Sequence, residues 1–144
     1  REREELVTRF FAYGDGLDDY VDEVSPFLFS YARRMNQVFT DTPTAVEAYR
    51  QRFHAMVAFV EAAFPFGFRR SASGRASPRA RFESIAVGTY LALQESPTLV
   101  PDPAKVTAWI QAKEFSEATG SDGANAIGRL QRRMHYVRDH LLEA

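Results

Sequence analysis

A chain of 144 residues, 45% apolar and 26% charged, amounts to one domain with enough apolar content to hold a core unaided. A net charge of −1 excludes a whole-chain attraction to nucleic acid or membrane. The lack of cysteine excludes disulfides and thiolate metal sites, and fits a reducing, cytoplasmic setting.

The first helix is predicted over about Glu2 to Tyr13, with Leu6, Phe10 and Tyr13 at helical spacing. Glu5 and Arg9 form an i,i+4 pair in the favourable orientation, and Gly14-Asp15-Gly16 ends the helix. Four later helices are each expected to open on a capping residue followed by proline: Ser25-Pro26, Thr42-Pro43, Ser77-Pro78 and Asp102-Pro103. The second carries Phe27, Leu28, Tyr31, Met35 and Val38 on one face. The third carries Val46, Tyr49, Phe53, Met56, Val57, Val60 and Phe64, with steps of three and four throughout.

The fourth helix is less regular. Val87-Gly88-Thr89-Tyr90 would also suit a strand. Read as a helix, the segment needs a reason for Gly88, and a close helix–helix contact is the expected one, because Gly otherwise costs about 1 kcal/mol relative to Ala. The fifth helix leads through Val106, Trp109 and Ile110 to Phe115. The sixth runs from about Ala124 to Leu142, with the seam Ile127, Leu130, Met134, Val137 and Leu141 suited to packing along another helix, or against a second copy of the chain. The fold class is all-α, one irregular bundle of about six helices over residues 1–144. The chain opens at Arg1 in helix-like sequence, so it is expected to be a fragment of a longer protein. No uncharged apolar run approaches the ~18 residues of a membrane span.

Charge is unevenly placed. Asp15, Asp18, Asp19, Asp22 and Glu23 fall within 15–23 without a base, and Arg69, Arg70, Arg75, Arg79 and Arg81 fall within 69–81 without an acid. Sixteen of the 18 basic residues are Arg, whose fork suits phosphate, although a genomic codon bias gives the same excess. The connection at 68–77 is read as an exposed basic loop that either contacts a phosphate backbone or folds back on the acidic segment. Arg129, Arg132, Arg133 and Arg138 are read as the solvated face of the last helix.

No catalytic residue and no cofactor are assigned. Gly-x-Ser-x-Gly and the phosphate-binding Gly-x-x-x-x-Gly-Lys-Ser/Thr are absent. Of the three histidines, His54, His135 and His140, the last two are five apart on a helix and cannot share a ligand face, and the acidic stretch departs from calcium-loop spacing, so no metal site is assigned either.

Two stretches carry a family likeness. Arg3-Glu4-Glu5-Leu6-Val7-Thr8-Arg9-Phe10-Phe11-Ala12, then Leu17-Asp18-Asp19-Tyr20 and Phe27-Leu28 to Asn36, resembles a segment of the ParB-like family of proteins of unknown function typified by the GmrSD modification-dependent restriction systems. Phe66-Gly67-Phe68-Arg69-Arg70 is similar to a shortened form of that family's Phe-Gly-x-x-Phe-Arg element, and Arg81-Phe82-Glu83-Ser84-Ile85 falls where the family has a further helix. The likeness covers about residues 1 to 94. It implies a helical C-terminal part of a DNA-restriction or anti-phage defence protein, partnered by an N-terminal ParB-like half that handles nucleotide through an Asp-Gly-Gln-Gln-Arg type motif. That motif does not occur here, even at Asp15-Gly16 or Asp122-Gly123, so no catalytic residue carries over. The alternative is a helical interaction or dimerisation module without a nucleic-acid role.

Overall fold

In the computed structural model, residues 1–75, 77–120 and 125–143 are described. They form seven helices and no strand: α1 (Glu2–Asp15), α2 (Val24–Asp41), α3 (Ala45–Ala63), α4 (Arg79–Glu95), α5 (Pro103–Ile110), α6 (Lys113–Ala118) and α7 (Ile127–Leu142). The expected fifth helix is two pieces, separated by the break at Gln111 and Ala112. Among the described residues, no helix is long and apolar enough to cross a membrane.

Helix α4 is the axis of the bundle. It packs most extensively along α7, then against α1 and α3. Every residue from Arg81 to Thr89 is buried. A helix enclosed on all sides has no polar face to set a 3.6-residue pattern, which is why Val87-Gly88-Thr89-Tyr90 looks like a strand in sequence. Gly88 is the point of closest approach, where a Cβ would stand 2.6 Å from the Val137 Cβ and 2.7 Å from the Met134 carbonyl oxygen of α7. Here the contact expected of that glycine is present.

The α7 seam therefore lies inside the chain. Leu130, Met134, Val137 and Leu141 are buried, with α7 packed mainly on α4. Among the described residues, the seam is filled by this chain's own helix α4. Arg133, assigned to the solvated face, is also buried, at 2% exposure. It is three positions after Leu130 and so points toward the same neighbours.

The proline openings need correction. Only Asp102-Pro103 behaves as expected: Pro103 is the first helical residue and the Asp102 carboxylate accepts a hydrogen bond from the Lys105 N–H at 3.2 Å. Helix α2 starts two residues early, at Val24, and holds Pro26 in its first turn. Pro43 precedes α3, and Pro78 itself occupies the cap position of α4; neither helix has a side-chain cap. Proline marks these starts because the first-turn N–H groups lack intrahelical partners, a condition met at several positions and not at one.

A second cluster closes the other end. Phe10 makes edge-on contacts with Phe11, Phe53 and Tyr90 at 5.0–5.8 Å. Asp15, at the end of α1, binds the Arg52 guanidinium at 2.6 Å and accepts hydrogen bonds from the Tyr31 and Tyr49 hydroxyls. Burial, then the Asp15 carboxylate, raises the Tyr31 pKa. One carboxylate thus ties α1 to α2 and α3.

Candidate functional site

The start of α4 meets α1, α7 and the chain around α6 in a polar cleft of about 460 Å³. Among the described residues its walls include four arginines, Arg9, Arg70, Arg79 and Arg133, and a single carboxylate, Glu83. The first turn of α4, Pro78 to Ala80, lines one side, and Ser116, Thr119 and Asn125 line another.

Glu83 is fully buried, and its two oxygens are divided between helices. Oε1 accepts from Arg9 of α1 at 2.6 Å, and Oε2 accepts from Arg133 of α7. Arg9 also reaches Glu5 at 2.8 Å, which is the pair expected from sequence. The Arg9 hydrogen bond lowers the Glu5 pKa against the opposing effect of burial, with smaller contributions from nearby positive charge. The neighbouring Tyr13 hydroxyl is pushed upward by burial and by the Glu83 charge. Ser84, next along α4, donates to the Arg133 carbonyl oxygen. The network holds three helices in one arrangement while leaving the mouth of the cleft positive.

Arg70 and Arg79 supply that positive mouth. Both are exposed, and neither makes an ion pair among the described residues. Arg79 is the first residue of a 17-residue helix with no side-chain cap, so its charge adds to the exposed N–H groups of the helix end. These are the elements of an oxyanion site: a forked cation on each side and an uncapped helix start.

The five arginines expected to act together are divided by the structure. Arg69 folds back on its own loop, donating to the carbonyl oxygens of Phe66, Ala72 and Gly74 at 3.4 Å. Arg75 is exposed and lines none of the clefts described for this protein. Arg70 and Arg79 meet at the cleft. Arg81 is only 8% exposed and turns away from them, its guanidinium 5.2 Å from the Phe115 ring. Its Nε has no hydrogen-bond partner. A cation–π contact is worth about 1–2 kcal/mol, whereas a guanidinium buried without a counter-charge costs several.

The acidic segment does not neutralise this loop. Among the described residues, Asp15 is bound to Arg52, Asp19 lies 4.0 Å from Arg34, and the Asp22 carboxylate accepts from the Ile127 N–H at 2.7 Å. Asp22 thereby caps α7, in a left-handed backbone conformation with φ 61°. No group of three His, Asp or Glu side chains converges among the described residues. His140 stacks on Tyr136 and donates from Nδ1 to the Tyr136 carbonyl, and His54 is exposed.

Arg9, Glu83 and Arg133 are the site residues that sequence reading does not reach. Glu83, two residues after Arg81, has no acidic or basic neighbour at helical spacing except Arg79, which it does not bind. Its partners lie 74 and 50 positions away. No family model, curated protein or solved structure matches the chain.

Proposed function

We propose that this chain is a non-catalytic helical portion of a ParB-like DNA-restriction or anti-phage defence protein. It supports an N-terminal nucleotide-handling half and contacts DNA phosphate at the start of α4. The observation that carries the phosphate contact is the cleft itself: Arg70 and Arg79 without ion-pair partners among the described residues, beside an uncapped helix start. The defence context is supported by the likeness of the first helix, Leu17 to Tyr20 and Phe27 to Asn36, to the ParB-like family.

The contact is an electrostatic one. Arginine forks and helix N–H groups position a phosphate without reading bases. Binding should therefore tolerate any duplex sequence and weaken steeply with salt. Titration of a labelled duplex at several salt concentrations tests it. Separately, an Asp-Gly-Gln-Gln-Arg type motif encoded upstream of Arg1 supports the ParB-like assignment, and upstream sequence without one removes it.

A second reading, an interaction module with no nucleic-acid role, is favoured by one observation. A largely apolar groove of about 360 Å³ runs between α1, α2 and α3, lined by Val7, Phe11, Met35, Phe39, Tyr49 and Phe53 among others. Self-association together with no DNA binding at low salt selects this reading. DNA binding that needs Arg70 and Arg79 selects the first.

A further inference from the structure

Arg81 is the one buried cation of the 69–81 group, and burial leaves it three properties. A guanidinium stays protonated whatever its surroundings, so the charge cannot be discarded. Among the described residues it has no ion pair or hydrogen bond, and its Nε is sealed from solvent. Burial and the nearby Arg70 guanidinium both lower its pKa, so the second charge close by has the same sign. A buried guanidinium without a counter-charge among the described residues calls for an anion.

There is space for one. Arg81 lines a cavity of about 130 Å³ with Phe64, Phe66, Thr107, Ile110 and Gln111. A water occupies about 10–15 Å³ on this measure, so the cavity accepts several waters or one small ion. It is too small for a nucleobase. The ring and aliphatic walls keep the local dielectric low, which strengthens attraction to an anion. This cavity shares no lining residue with the cleft at the start of α4.

We infer that Arg81 and the cavity between the 64–67 turn and α5 form a binding site for a single phosphate-like oxyanion, separate from the proposed DNA contact. Binding there would pin the 64–67 turn to α5 and to the start of α4. The occupant is free phosphate or a phosphate group of a larger ligand, with the same recognition chemistry in either case.

The test is thermal unfolding of the whole chain in inorganic phosphate against chloride at matched ionic strength. The wild type should show a saturable, phosphate-specific rise in Tm, about 5–10 °C at a hundredfold excess over the Kd. Arg81→Met should lose that rise, and its Tm without phosphate should equal or exceed that of the wild type. Gln111→Glu, an exposed substitution that keeps the fold readable, should place a carboxylate by Arg81, raise the Tm without phosphate, and abolish the phosphate response. No saturable phosphate effect on the wild type would overturn the site, as would an equal effect on Arg81→Met or Gln111→Glu. A short duplex lacking terminal phosphates separates the sources. Suppression of the phosphate response identifies a backbone phosphodiester, and an additive response identifies the free ion; both fit the site. Arg79→Ala should leave the phosphate response intact, so failure of the DNA contact and failure of this site are distinguishable.

Discussion

Gly88 of α4 and Val137 of α7 approach so closely that a Cβ on the glycine would lie 2.6 Å from that of the valine. The Met134 carbonyl oxygen, at 2.7 Å, closes the same space from the backbone. Gly88→Ala should therefore destabilise the chain by about 1–3 kcal/mol despite the better helix propensity of Ala. Chemical denaturation should show a lower midpoint at unchanged slope. Shortening Val137 to Ala in the same chain should recover little of the loss, because it removes only the Cγ1 contact at 2.9 Å and leaves the Cβ and the Met134 carbonyl in place.

Among the described residues, Glu83 is the only carboxylate facing two buried arginines in the cleft. Glu83→Gln should cost about 3–5 kcal/mol, since it leaves Arg9 and Arg133 buried with no shared counter-charge. Much of that loss should return when Arg9 and Arg133 are changed to Met in the same chain, because an apolar substitute for a whole buried ionic group is often neutral. Denaturation midpoints of the single and triple variants check this directly.

Asp22 caps α7 across a separation of 105 positions. Asp22→Ala should lose about 1 kcal/mol from the missing cap. Asp22→Asn should be close to neutral, because its amide oxygen accepts the same bond and Asn tolerates the left-handed backbone. Hydrogen exchange in the first turn of α7 should accelerate in the alanine variant alone.

His135 resists protonation in the folded chain, because burial and then Arg138 lower its pKa against a smaller pull from Asp139. The unfolded chain takes up that proton near pH 6.5, so it binds more protons than the folded chain below that value. Stability contributed by the neutral ring should be fully present above about pH 7 and decline as pH falls below about 6.5. His135→Gln should flatten that limb of a stability–pH curve. An unchanged limb would assign it to other groups.

The fold was legible where pattern and structure share a cause. Helix α3 is half exposed, so its stripe at steps of three and four is visible, and Gly88 has a cost that demands a close contact. Helix α4 was harder to read because burial on every side removes the polar face that gives a helix its period. The site was legible only as composition. Arginine without acid over 69–81 located the region, but which of those side chains turn inward depends on the turn at 64–67 and on how α4 enters the core. Arg133 shows the same limit, since a buried arginine and a solvated one look alike until Glu83 is placed beside it.

The phosphate contact at the start of α4 is tested most directly by the salt dependence of duplex DNA binding for the wild type against Arg70→Ala/Arg79→Ala. The wild type should bind at low salt with a log–log slope of about −2 to −4. The double variant should bind at least tenfold more weakly, with the slope reduced by about 2. Undetectable wild-type binding at low salt, or equal slopes for the two proteins, would contradict the account.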